Sequence, residues 1–249
     1  MAGTLTPVGT TLTESLANYW APVRYEDLPS SAVMLAKRFL LDNLAAAIAG
    51  STSEVTLIAL RAARAAAEAG TGSSIVFGHR TTLPAPLAAM VNGTAAHALE
   101  LDDFGGCGHS GAVVIPVVLS LAARGQITGK TALAALLAGY DLAARVLEGA
   151  GGYRPHNEKG WHSTGTCGSF GAAAAAAKLL GLDAERFHPG KAAENGLTSA
   201  LLAQAGMTGP RRILEAEWGG FFSTYAPGTT TPEATVVNLG KEFRIATSG

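Results

Sequence analysis

The stretch from His97 to Pro116, HALELDDFGGCGHSGAVVIP, holds two histidines and three carboxylates within its first thirteen residues. The chain around it is rich in Ala, Leu and Gly, so ionisable groups are concentrated here. Imidazoles and carboxylates transfer protons in enzymes and also bind metal ions. The residues alone leave three interpretations open: an acid–base site for an anionic small molecule, a metal site, or a polar loop between buried helices.

The spacing within this stretch suggests one arrangement. If a helix continues to Asp103, then His97, Glu100 and Asp103 lie on one stripe of its surface, three residues apart. His109 and Ser110 then open the next helix, whose free N–H groups and positive dipole end favour a bound carboxylate. One histidine among carboxylates favours a metal only weakly, so we expect no metal.

Two further segments place a histidine before a helix. KGWHSTGTCGSFG puts His162 ahead of an Ala-rich helix that Thr164 is able to cap, and RFHPGKAAENG puts Arg186, His188 and Lys191 ahead of another. The alternatives are a helix crossing mediated by glycines with a buried histidine, and a solvated loop. Three such helix starts together favour a pocket for a di- or tricarboxylate.

Helical periodicity runs through most of the chain and predicts an all-α, bundle-like domain. The abundant small residues indicate closely packed helices. SSIVFGH is β-like and predicts a hairpin or connector, and a strand is expected to start in KEFRIATSG. We predict helices at 32–50, 54–69, 84–103, 111–124, 130–147, 164–180, 190–205 and 210–217.

The composition excludes several classes of protein. A net charge of -1 argues against nucleic-acid binding. Apolar runs fall short of a membrane span, and the N-terminus does not read as a signal peptide. Cys107 and Cys167 form no zinc or iron–sulfur motif and are expected to be buried fillers in a reducing compartment. We therefore expect a cytoplasmic protein without a membrane partner.

Four motifs in this order resemble the MmgE/PrpD family: NGTAAHALELDDF...GHSGAVVIPVVLSLA, GYDLAARV, KGWHSTGTCGSFGAAAAAAKLLGL and FHPGKAAENGLTSALLAQAGMTGP. The resemblance extends from about residue 12 to residue 240. That family includes 2-methylcitrate dehydratase, cis-aconitate decarboxylase and iminodisuccinate epimerase.

The resemblance implies a multi-helix domain at 1–240, a homodimer, and a site that needs no cofactor and takes a small polycarboxylate. It assigns catalytic roles to Glu100, Asp103, His109 and His162. Helix starts near Ser110, Thr164 and Lys191, with Arg186 and His188, would bind the substrate. Glu100 stands where the family has an aspartate.

The sequence departs from the family pattern in two places. We expect this chain to lack the smaller α+β lid domain that follows in the family, and we expect 241–249 to be the start of that lid or a disordered tail. The segment near 184–187 is shortened, and Glu185 and Arg186 stand where relatives commonly have a lysine.

We therefore predict a lyase that resembles the dehydratases, a hydro-lyase that moves protons next to a carboxylate of the citrate or 2-methylcitrate class. One alternative is an inactive helical domain with a structural or dimerising role. The other alternative is an epimerase of an amino-dicarboxylate such as iminodisuccinate.

Overall fold

The computed structural model describes residues 11–67, 72–125, 127–182, 211–217, 220–228 and 230–246. The described part is predominantly helical, as predicted, with a single two-stranded sheet. The α-helices in chain order are α1 (Leu12–Trp20), α2 (Ser30–Gly50), α3 (Glu54–Ala66), α4 (Ala85–His97), α5 (Ser110–Ala122), α6 (Gly129–Gly149), α7 (Tyr153–Asn157), α8 (Ser163–Thr166), α9 (Gly168–Leu179) and α10 (Phe221–Tyr225).

Helix α6 forms the centre of the domain. Thr128 caps it by accepting a hydrogen bond from the Thr131 N–H, and most of its residues are buried. It packs against α9 and α5, α5 packs against α4, and α4 in turn contacts α2 and α3. Small side chains permit this close stacking of helices, which agrees with the expectation from composition.

The crossing of α6 and α9 depends on two glycines. A Cβ atom at Gly171 would meet the Gly139 carbonyl, and a Cβ at Gly139 would meet Val114 and the Gly171 carbonyl. The two backbones therefore approach more closely than any larger residue allows.

The β-like run forms the predicted hairpin. Strand β1 (Ser74–Ile75) pairs antiparallel with β2 (Thr82–Leu83), with Ser74 opposite Leu83. Ser74 also donates a hydrogen bond from its hydroxyl to the Ser120 carbonyl at 2.6 Å. This contact fixes the hairpin against α5.

Several predicted element ends are wrong. Helix α4 ends at His97 instead of Asp103, because Glu100 takes a left-handed conformation with φ 48° that cannot continue a helix. The Ala-rich helix is divided at Cys167 into α8 and α9. Residues 211–217 form turns, and α3 ends at Ala66. The predicted helix at 190–205 lies outside the described residues.

The strand expected in KEFRIATSG is also wrong: Arg244–Ala246 is a 3-10 helix, as are Tyr25–Asp27 and Pro232–Thr235. The Arg244 N–H donates to the Asp141 carboxylate, and Ile245 is buried in the core. Burial against α6, with no neighbouring strand among the described residues, explains the compact turn. The division at residue 240 stays a prediction.

Buried charges hold this last segment to α6. Asp141 accepts hydrogen bonds from the Trp20 indole at 3.0 Å and from Arg145 at 2.6 Å. The fully buried Arg145 guanidinium also donates to the carbonyls of Val237 and Glu242, each at 2.8 Å. Helices α1 and α6 and the chain after residue 230 are thus joined through one ion pair.

None of the helices in the described part of the chain combines the length and apolarity that a bilayer crossing requires.

Candidate active site

The site lies where the end of α4 meets the starts of α5 and α8. His97 is the last residue of α4, and His109 and His162 are the N-cap residues of α5 and α8. The three imidazoles come from separate elements, so the loop between α4 and α5 must bring them together.

Glycines shape that loop. Gly105 and Gly108 exchange backbone hydrogen bonds of 2.6 and 3.2 Å, and Gly106 and Gly108 have φ values of 66° and 126° that favour glycine. The Ser110 hydroxyl accepts a hydrogen bond from the Cys107 N–H at 2.9 Å. The tight turn delivers His109 to the start of α5.

The three histidine rings form a group. The ring centroids of His97 and His109 are 4.6 Å apart, and those of His97 and His162 are 6.3 Å apart. His162 is exposed, whereas the side chains of His97 and His109 retain 31% and 19% of their accessible surface. A solute can therefore reach the group, and two of its rings are partly shielded.

Helix α8 is short and is held in place by side chains. Thr164 accepts a hydrogen bond from the His109 N–H at 3.0 Å, and Thr166 and the Nε2 of His156 lie 2.7 Å apart. These contacts connect α8 to α5 and α7. The backbone position of His162 follows from them.

Asp102 lies beneath two of the rings. Its Oδ1 is 3.0 Å from the Nδ1 of His97, and its Oδ2 is 3.3 Å from the Nδ1 of His109. The Asp102 side chain is fully buried. A carboxylate in this position can orient both imidazoles.

Asp103 points into the core instead. The Tyr140 hydroxyl on α6 lies 3.0 Å from both of its carboxylate oxygens. Burial raises the pKa of Asp103 to about 7, against the lowering effect of the Tyr140 hydrogen bond. A Cβ at Gly111 would collide with this carboxylate, so the start of α5 is also adapted to it.

One exposed aromatic side chain packs against His109, and a second packs against the first. The ring of Phe104 packs edge-on against His109 at 5.4 Å and against Tyr153 at 5.2 Å. More than half of Phe104 is accessible to solvent. These rings give the histidine group an apolar wall.

The structure brings together only part of the predicted site. His109 and His162 join the group, and Asp103 lies directly behind it. Glu100 is exposed in the turn after α4, so the stripe that it was expected to share with His97 and Asp103 does not form.

The predicted substrate-binding residues have other contacts or cannot be placed. The hydroxyls of Ser110 and Thr164 accept hydrogen bonds from backbone N–H groups and thereby hold the loop and α8. Arg186, His188 and Lys191 lie outside the described residues.

Sequence reasoning gave no role to Asp102 and missed the contact between Tyr140 and Asp103. It placed His97 on a continuing helix. The signal for Asp102 was its position five residues after His97, which brings the two side chains together once the helix stops. Tyr140 lies in the GYDLAARV motif, but no spacing connects it to Asp103.

The described residues contain one group with the composition of a metal site. The ligand atoms of His97, Asp102 and His109 all lie within 4.8 Å of one another.

The two cysteines are buried, as expected, and burial raises the pKa of Cys107 to about 12. Neither cysteine is therefore an activated nucleophile.

The fold and the site define a helical domain with an acid–base group at converging helix ends. The sequence model of the MmgE/PrpD N-terminal domain matches residues 14–188 and 185–233. The chain therefore belongs to the MmgE/PrpD family.

Its relatives include cis-aconitate decarboxylases. The cis-aconitate decarboxylase-like protein oryM of Aspergillus oryzae is 29% identical over 280 aligned residues, which cover 96% of this chain and 57% of the relative. The cis-aconitate decarboxylase of Homo sapiens is 30% identical over 251 residues, covering 87% and 51%. That of Mus musculus is 28% identical. The chain spans about half the length of these relatives.

Proposed function

We propose that this chain carries the acid–base residues of a cofactor-independent lyase that acts on a small polycarboxylate. The observation that carries the proposal is the convergence of His97, His109 and His162 around the buried Asp102. Imidazoles accept and release protons near neutral pH, which is what bond cleavage next to a carboxylate requires.

The names of the relatives favour decarboxylation of cis-aconitate as the first reaction to test. In such a step the C–C bond to a carboxylate breaks, CO2 leaves, and the electron pair remains on carbon. An imidazolium then delivers a proton to that carbon. Dehydration of a citrate-like substrate, which the sequence predicts, uses the same groups: a base removes the proton next to the carboxylate and an acid protonates the departing hydroxyl.

Binding of a polycarboxylate needs positive charge. The positive end of the α5 dipole lies directly after His109, and any imidazole that carries a second proton adds to this field. We further propose that Arg186, His188 and Lys191 contact substrate carboxylates, since these basic residues lie within or next to FHPG, which resembles a family motif.

The first prediction concerns the two proton-transfer candidates. Turnover of cis-aconitate, citrate, 2-methylcitrate and iminodisuccinate is measured for the wild type, His109→Ala and His162→Ala. We expect a loss of about 10²–10⁴-fold in kcat for each variant on the accepted substrate. His79→Ala is the control, because His79 bonds the Ser51 carbonyl outside the site. A loss of less than tenfold in both variants contradicts the assignment.

A structural role is the second candidate. The family model matches this chain in two segments that overlap at 185–188, which supports a shortening of the chain between them. A folded chain that neither turns over nor binds any of these acids by calorimetry would favour the structural role over catalysis. Turnover of iminodisuccinate with exchange of its α-proton would instead identify an epimerase.

The second prediction concerns assembly: we propose a homodimer. Met34, Leu41 and Ile48 lie seven residues apart on one face of α2, and each is more than half exposed. We expect Leu41→Glu to convert the dimer to a monomer in sedimentation equilibrium, while the exposed charge reversal Arg64→Glu does not. A wild type that sediments as a monomer contradicts the proposal.

A further inference from the structure

Asp102 contacts two imidazoles, and in each ring the contacting atom is Nδ1. The Nδ1 of His97 is 3.0 Å from one carboxylate oxygen, and the Nδ1 of His109 is 3.3 Å from the other. An ionised carboxylate only accepts hydrogen bonds. Each imidazole that bonds to it must therefore carry its proton on Nδ1.

The His97 contact is a well-formed hydrogen bond, and the His109 contact is a close approach with poorer alignment. The Oδ2 of Asp102 and the Nδ1 of His109 are both buried, and neither has a hydrogen-bond partner among the described residues. An unpaired buried polar atom destabilises a fold, so native structures seldom retain two that face each other. A hydrogen bond between these two atoms, which are 3.3 Å apart, would pair both of them.

We propose that Asp102 is a positioning residue that fixes both His97 and His109 in the Nδ1–H tautomer. In that tautomer the Nε2 atom of each ring is the proton acceptor, so His97 joins His109 as a second base. The effect of this arrangement on turnover rests on the proposed lyase function, whereas the tautomers do not depend on it.

The substitution Asp102→Asn tests this arrangement. A side-chain amide has one accepting oxygen and one donating nitrogen. The oxygen can pair with one Nδ1–H, but the NH2 group requires an Nδ1 without a proton. One ring must then change to the Nε2–H tautomer.

The third prediction is read from ¹⁵N–¹H correlation spectra of the ¹⁵N-labelled 249-residue chain, at a pH where the rings are neutral. In the wild type we expect His97 and His109 as Nδ1–H, with His97→Gln and His109→Gln as assignment variants. In Asp102→Asn we expect one of the two to change to Nε2–H. His79 is an internal control that stays Nε2–H in both proteins, because its Nε2 lies 3.0 Å from the Ser51 carbonyl, which only accepts.

The proposal would be overturned if either ring is Nε2–H in the wild type, or if both rings are still Nδ1–H in a folded Asp102→Asn protein. If that variant does not fold, the tautomers of His97 and His109 in the wild type alone decide whether the proposal stands. Purified protein that holds Zn²⁺ through both Nδ1 atoms until a chelator removes it would also refute the assignment, in favour of a metal site.

Kinetics separate this proposal from the proposed function. With a turned-over substrate, we expect Asp102→Asn to lower kcat by about 10²–10⁴-fold with little change in KM, because an imidazole in the wrong tautomer cannot accept the proton. Absence of turnover in the wild type would refute the lyase function and leave the tautomer measurement to decide on Asp102.

Discussion

Asp102 and Asp103 are adjacent in one turn, but their side chains lie in different environments. Asp102 faces two imidazoles, whereas Asp103 faces the Tyr140 hydroxyl in the core. Different surroundings allow two neighbouring carboxyl groups to have different roles. The two acids of LDDF therefore cannot be exchanged.

The fourth prediction concerns the pH dependence of stability. The folded-state pKa of Asp103, about 7, exceeds its ordinary value of 3.8, so the folded chain binds the extra proton between these values. This group therefore destabilises the fold as pH rises from about 4 through 7. We expect Asp103→Asn, which keeps the shape and an acceptor for Tyr140, to be more stable than the wild type at pH 8 by on the order of 2–4 kcal/mol.

The same variant should differ much less from the wild type near pH 4, and urea unfolding at the two pH values measures both differences. Glu158→Gln, which removes an exposed acid, controls for the change in net charge. Equal stability differences for Asp103→Asn at both pH values would contradict the assigned pKa.

At the scale of elements, the packing of α9 on α6 positions two parts of the site, Asp103 and His162. Helix α9 follows directly after α8, and Tyr140 on α6 bonds Asp103. Any separation of α6 and α9 would therefore displace Asp103 in the loop after α4, and would also displace α8, which follows His162. The glycine contact between the helices controls that separation.

The fifth prediction follows from this contact. At a solvent-exposed position inside a helix, Gly→Ala stabilises the fold by about 1 kcal/mol. At Gly171 the added methyl group would meet the Gly139 carbonyl and Ala143, so we expect Gly171→Ala to lower the free energy of unfolding by about 1–3 kcal/mol. Gly129→Ala, where a Cβ has open space, is the matched control. Urea denaturation of both variants checks the signs, and a stabilised Gly171→Ala would refute the argument.

At the scale of the whole molecule, most helices were predictable because their periodicity and caps are local. Gly50, for example, marks a predicted helix end that the structure contains. The loop after α4 was not predictable, because Glu100 has φ 48° in a sequence with no glycine at that position. That error misplaced Glu100. It also concealed Asp102, whose partners depend on where the helix stops.

The long-range polar contacts were equally hidden. Tyr140 and Asp103 are 37 residues apart, and Trp20 and Asp141 are 121 apart. No periodicity reports such pairs, since they form only when the helices pack. The positions of His109 and His162 were predictable because each precedes a helix within a family motif.

The buried guanidinium of Arg145 has a consequence for which substitutions the domain tolerates. Its contacts with Val237 and Glu242 are to main-chain oxygens, and the Val237 side chain is half exposed. The interaction therefore constrains the path of the backbone and leaves the identity of residue 237 open. Residue 237 can therefore vary while the backbone keeps its course, whereas Asp141 and Arg145 must change together or not at all.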